Sequence, residues 1–248
     1  MNETLGERET RLREFFGLGA GARLAGETAA PPLTNEGLAH FQIEWHRIPS
    51  AEAVPLDDAY FRKLYPTASQ DFARPHDHAP SFRERLTEGH RRHQGLVLGV
   101  ETTQKPRYLP GNRQFYGTSY GHDPTADPFA PYLGRAGMMN GTRYEHNYLT
   151  LREFVRVVGE DWRQRGLMPK GYRVTVCPPA VFNLVGTIFH PEWGETETLE
   201  LGFYRDPEGN ATCYAVGPNG PGDFSFVAEI EGDTEWALAG FRVALVPE

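Results

Sequence analysis

At 248 residues the chain can form one large domain or two small ones, and 39% hydrophobic with 12% aromatic residues suits a packed core rather than disorder. A formal net charge of −8 disfavours nucleic acid and anionic lipid as partners, because both need a basic field. No run approaches the roughly 18 consecutive apolar residues of a membrane span, and the start of the chain lacks the apolar stretch of a signal peptide, so a soluble cytoplasmic protein is expected.

Residues 3–16 read as a helix with a partial stripe of Leu5, Leu12, Phe15 and Phe16, closed by Gly17. Residues 18–36 are rich in Gly, Ala and Pro and read as an extended arm. The expected division is therefore an N-terminal helix and arm over 1–36, then a single domain over 37–248. Phe41, Ile43 and Trp45 alternate with Gln42, Glu44 and His46, the period of a strand with one apolar face. Pro55 to Leu64 suit a short helix stopped by Pro66. Ser81 and Glu84 have capping-box spacing for a helix that carries Phe82, Leu86, His90 and His93 on one face and ends by Gly95. Leu96 to Val100 form a short apolar strand.

From Thr103 to Asn147 the chain is irregular, with many aromatics, Gly and Pro and few aliphatic residues. An ordered aromatic loop of this length needs a surface to lie against, either its own sheet, a ligand or a neighbouring subunit. Tyr108, Phe115, Tyr116, Tyr120, Tyr132 and Tyr144 are the candidate contact residues.

The most regular pattern follows. Leu151, Phe154, Val155, Val158 and Trp162 lie on one helical stripe, Thr150 and Glu153 have capping-box spacing, and Gly166 can end the helix, giving a span of 150–166. Tyr172 to Cys177 alternate as a strand. Val181, Leu184, Val185 and Ile188 after Pro178-Pro179 suit a helix, with a strand reading nearly as good. Residues 199–204 and 212–216 flank the turn Asp206-Pro-Glu-Gly-Asn210, an antiparallel hairpin, and 224–230 add a strand. From Trp236 to Leu245 the apolar phase slips at Ala239-Gly240, which predicts a β-bulge at Gly240. The expected fold class is α+β, a mostly antiparallel C-terminal sheet packed by the 150–166 helix, with the N-terminal helical arm and the long aromatic loop added.

The chemistry-bearing candidates are few. His76 and His78 precede the helix that Ser81 begins, and His90 and His93 share one of its faces. Convergence of these four imidazoles would suit Zn or Fe(II). His46, His122, His146 and His190 stand isolated, with no partner fixed by spacing, and Glu192, Glu195, Glu197 and Glu200 read as a charged strand edge. Cys177 and Cys213 read as buried thiols. No nucleophile elbow, phosphate loop, dinucleotide fingerprint or His-Glu-x-x-His motif occurs. Lys63, Lys105 and Lys170 are the only lysines, the arginine bias of a GC-rich bacterial or bacteriophage genome.

Two functions are compatible with these residues. One is a non-catalytic binding or assembly protein, with no cofactor, that meets a protein partner or its own copies through the N-terminal arm and the 103–147 loop. The other is a metalloenzyme with Zn or Fe(II) at the 76–93 histidines.

Overall fold

The structure, a computed structural model, describes residues 3–24, 36–67, 82–103, 127–138, 143–144, 146–195, 199–205, 211–217, 223–230, 233, 235 and 239–248. In chain order the elements are α1 (Leu5–Phe16), α2 (Glu36–Ala39), β1 (Ile43–Arg47), α3 (Asp58–Leu64), α4 (Phe82–Arg91), β2 (Val97–Glu101), α5 (Ala130–Arg135), α6 (Tyr148–Gln164), β3 (Tyr172–Val176) and α7 (Pro179–Phe189). A 3-10 turn (Pro191–Glu195) leads into β4 (Leu199–Arg205), β5 (Ala211–Gly217), β6 (Phe226–Ile230), β7 (Ala239–Phe241) and β8 (Val243–Pro247). The fold class is α+β.

The single sheet expected from the C-terminal half is two sheets. One has the order β1-β2-β8-β3 and is antiparallel throughout; the other has the order β6-β5-β4-β7, with β4 and β7 parallel. The slip at Ala239-Gly240 is not a bulge within one strand. β7 pairs with β4, Glu200 opposite Gly240, and β8 pairs with β2 and β3, Val176 opposite Val243. The chain changes sheet at Arg242, and Ala239, Phe241, Val243 and Leu245 keep one phase through the change because both strands face the same core. Trp236 and Leu238, on the other side of the slip, lie outside the described residues.

The first sheet buries both faces. Trp45, Val97, Val174, Val176, Val243 and Leu245 pack with α5 and α6. Leu98, Val100, Ala244 and Val246 pack with α3, α4 and α7. Side chains alternate along a strand, so Glu44 and His46 on β1 and Arg173 and Thr175 on β3 belong to this second face. Leaving β3, α7 crosses the face toward β1, where Phe189 lies against His46 with ring centroids 4.8 Å apart. Ten of the eleven residues of α7 are buried, and the amide of Asn183 donates to the carbonyls of Leu64 and Phe224, which ties the helix to α3 and to the segment before β6.

Helix ends follow local chemistry. α1 is capped by a reciprocal Thr4/Glu7 box and closed by Gly17 at φ +71°. α6 begins earlier than its apolar stripe suggests: Asn147, not Thr150, is the N-cap, and Thr150 returns the bond to the Asn147 N–H. Glu153 is thereby released to pair with Arg156. Across the chain, α1 is held to β1 and α7 by Arg8, which donates to the Trp45 carbonyl, and Arg11, which donates to the Ile188 carbonyl at 2.5 Å.

Candidate metal centre

Glu44 and His46 stand two apart on β1, so both point to the face that α7 covers. His190 caps the C-terminus of α7 and arrives over the same strand. One donor atom from each of these three residues lies within 4.8 Å of the other two. Glu44 Oε2 is 3.7 Å from His46 Nε2 and 3.4 Å from His190 Nε2.

The groups around this trio prepare it for an electrophile. His46 is fully buried, and neither of its ring nitrogens has a hydrogen-bond partner among the described residues. Burial first, then the charges of Arg8, His190 and Arg11, hold its affinity for a proton well below that of an ordinary histidine. The ring is therefore neutral and keeps a lone pair. His190 Nδ1 lies 2.7 Å from Glu192 Oε1. A carboxylate only accepts, so Nδ1 donates to Glu192 and Nε2 is the nitrogen left to face Glu44. This carboxylate–imidazole pairing is the one that orients histidine ligands in metal proteins. Trp193 stacks on the outer face of His190 at 4.7 Å between centroids.

Glu44 is the charged member. Burial raises its proton affinity, but the hydrogen bond from His190 and the charges of Arg8 and His190 outweigh that and hold the carboxyl below its usual range. Arg8 Nη2 sits 2.7 Å from Glu44 Oε2. Glu44 and His190 retain partial solvent exposure whereas His46 has none, so the trio opens outward along the Glu44–His190 side.

Of the histidines favoured by sequence, His90 and His93 are described and neither belongs to this centre. His90 is buried between two tyrosines, with Nδ1 2.8 Å from the Tyr60 hydroxyl and Nε2 3.0 Å from the Tyr65 hydroxyl. Both ring nitrogens are already engaged, which removes it as a ligand. His93 places Nδ1 2.7 Å from the Gly89 carbonyl and closes the helix end. His76 and His78 lie outside the described residues, as do Tyr108, Phe115, Tyr116 and Tyr120. Tyr132 and Tyr144, placed by sequence on a contact surface, are each 3% exposed, and Tyr132 donates to Asp161 on α6. They are core residues. His146 is buried near Phe241, and Glu200 pairs with the buried Arg242. Cys177 and Cys213 are buried thiols that are not joined in a disulfide.

Sequence reasoning missed this trio although one signal was present. Glu44-x-His46 in a strand is a two-ligand element on one face. Nothing in the spacing of the chain brings His190 to that face, so the pair alone does not single itself out. Searches against family models, curated proteins and solved structures return no match to this chain.

Proposed function

We propose that the chain is a metal-dependent enzyme whose divalent ion is held by Glu44, His46 and His190, with Glu192 orienting His190. The observation that carries this reading is the convergence of the other two donors on His46, a fully buried imidazole with no other partner. Buried polar groups are almost always satisfied, so an unsatisfied imidazole beside a carboxylate and a second imidazole calls for a ligand.

The spacing favours zinc over an octahedral ion. Bonds of about 2.0–2.1 Å place tetrahedral ligand atoms roughly 3.3 Å apart and octahedral neighbours roughly 2.9 Å apart. The carboxylate oxygen lies 3.4 and 3.7 Å from the two imidazole nitrogens, nearer the tetrahedral edge. Three protein donors leave one position unclaimed, the pattern of catalytic rather than structural zinc sites. Such an ion supplies Lewis-acid activation of an oxygen ligand, which makes hydrolysis the favoured reaction class. Arg8, pinned to Glu44, is placed to neutralise negative charge that develops beside the ion.

The assembly reading has less support. Leu149 is the only large apolar side chain left exposed among the described residues, which therefore offer no apolar patch to a partner; arm residues 25–35 and loop residues 104–126 lie outside them. No helix among the described residues is long and apolar enough to cross a membrane. Buried thiols not joined in a disulfide at Cys177 and Cys213 suit a reducing compartment and support a cytoplasmic location.

Competition of tag-free protein against a chromophoric zinc chelator tests the proposal. The expected result is about one equivalent of zinc, with affinity lost by at least 100-fold in His190→Ala and by roughly 10- to 100-fold in Glu192→Gln. His90→Ala should bind as wild type does. Sub-stoichiometric zinc, below about a tenth of an equivalent, removes the centre.

A further inference from the structure

A second cluster of charge lies on the same face of the first sheet, at its opposite edge. Val246 on β8 is paired with Arg173 on β3, and Ala244 with Thr175. His46 on β1 is opposite Leu98 on β2. Three strand spacings of about 4.8 Å therefore separate the His46 end from the Arg173 end, roughly 14 Å. Beyond the edge of α7, a cleft of about 180 Å³ is lined by Arg92, His93, Arg173, Thr175 and Phe203, with further apolar wall.

Among the described residues the lining holds two guanidinium groups, an imidazole and a hydroxyl, and no carboxylate. Arg92 is partly engaged through Nε by Glu88 at 3.3 Å. Arg173 is exposed, and its side chain makes no hydrogen bond or ion pair with any described residue. The buried arginines elsewhere are matched by acids: Arg8 by Glu44, Arg143 by Glu101 and Asp127, Arg242 by Glu200. In a protein of net charge −8, a concave site with unmatched positive charge is against the trend of the surface. The local field is felt by His93. Burial lowers its proton affinity, and Arg173 and Arg92 lower it further against the opposing hydrogen bond to Gly89.

We propose that this cleft binds a compact dianionic oxyanion of the phosphate-monoester class, with Arg173 and Arg92 as the charge partners and Thr175 as a hydroxyl donor. Arginine forks match the geometry of tetrahedral oxyanions, and the volume exceeds that of several waters at about 30 Å³ each, so the anion fits with room for an organic substituent. Phe203 and the apolar wall supply the surface against which that substituent lies. The proposal is independent of the metal centre, because α7 fills the face between the two.

Calorimetric titration of the full chain with inorganic phosphate and with phenyl phosphate, at low ionic strength, tests it. The expected result is saturable binding of one equivalent of each, tighter for phenyl phosphate. Arg173→Gln and Arg92→Gln should each weaken phosphate by about tenfold, with Arg173→Lys intermediate and zinc affinity unchanged. Absence of saturation up to about 20 mM phosphate overturns the proposal. Saturable binding that both glutamine variants retain in full also overturns it, since the anion then sits elsewhere.

Discussion

The residue that most clearly separates two kinds of histidine is His90. It is buried and bonded at both nitrogens, and burial, helped by the charge of His93, pushes its pKa down to about 3. A neutral imidazole has one N–H, so one tyrosine accepts from the ring and the other donates to it. Unfolded, the same side chain titrates near 6.5. The unfolded state therefore binds a proton that the folded state refuses, and stability falls as pH drops from about 6.5 towards 3. One such proton corresponds to roughly 1.4 kcal/mol per pH unit. Urea midpoints measured between pH 7 and 4.5 should decline in wild type and decline less steeply in His90→Gln; equal slopes would show that His90 is not the group responsible. His46 is equally buried but has no such partners. That contrast marks it as a ligand in waiting where His90 is core.

At the scale of elements, what could be read from the sequence depended on whether an element has two different faces. α6 has a buried stripe of Leu151, Phe154, Val158 and Trp162 and a charged outer face with Arg156 and Glu160, so its period is visible in the chain. α7 is buried almost all round, so polarity does not alternate at either period and helix and strand readings compete. The change of sheet at Arg242 leaves no mark in the chain, because Phe241, Val243 and Leu245 keep one apolar phase straight through it. Only the partners of β7 and β8 reveal it. The candidate site was legible in part for a similar reason. Glu44 and His46 share a strand face, but His190 reaches them only because α7 spans the sheet. Close approach of β4 to the turn between β3 and α7 requires Gly202. A Cβ there would lie 2.9 Å from the Cys177 carbonyl oxygen and 2.9 Å from the Pro179 ring. Gly202→Ala should cost about 1–3 kcal/mol, an overpacking penalty readable in the thermal midpoint. A midpoint equal to that of wild type would mean that the approach is looser than described.

Across the whole molecule, the two sheets meet at a buried ionic junction. Arg242, at the point where the chain leaves β7 for β8, donates to Glu200 at 3.0 Å and to the carbonyls of Glu101 and Thr103 at 2.7 and 3.0 Å. Its guanidinium lies 3.8 Å from the centroid of Trp193, which itself stacks on His190. Arg143 bridges Glu101 and Asp127 at 2.7 and 2.5 Å. Burial alone would favour the neutral acid, but the charge and hydrogen bond of Arg143, with Arg242 beyond, hold Glu101 below the usual carboxylate range. Removing one member of a buried pair strands the other. Arg242→Met should therefore destabilise by roughly 3–5 kcal/mol, and Arg242→Met with Glu200→Leu should recover most of that loss. A double variant no better than the single would show that the pair does not set the cost. The same junction reaches the proposed metal centre through Trp193, so the fold ties the two sheets to the cluster around His46, the only group of three or more such donors among the described residues.

Anomalous diffraction at the zinc edge from crystals of zinc-loaded, tag-free protein tests that cluster most directly. The account predicts one strong peak between Glu44, His46 and His190, with Glu192 on the far side of the His190 ring. A zinc-loaded crystal with no peak there, or with its peak among His76, His78 and His93, would contradict it.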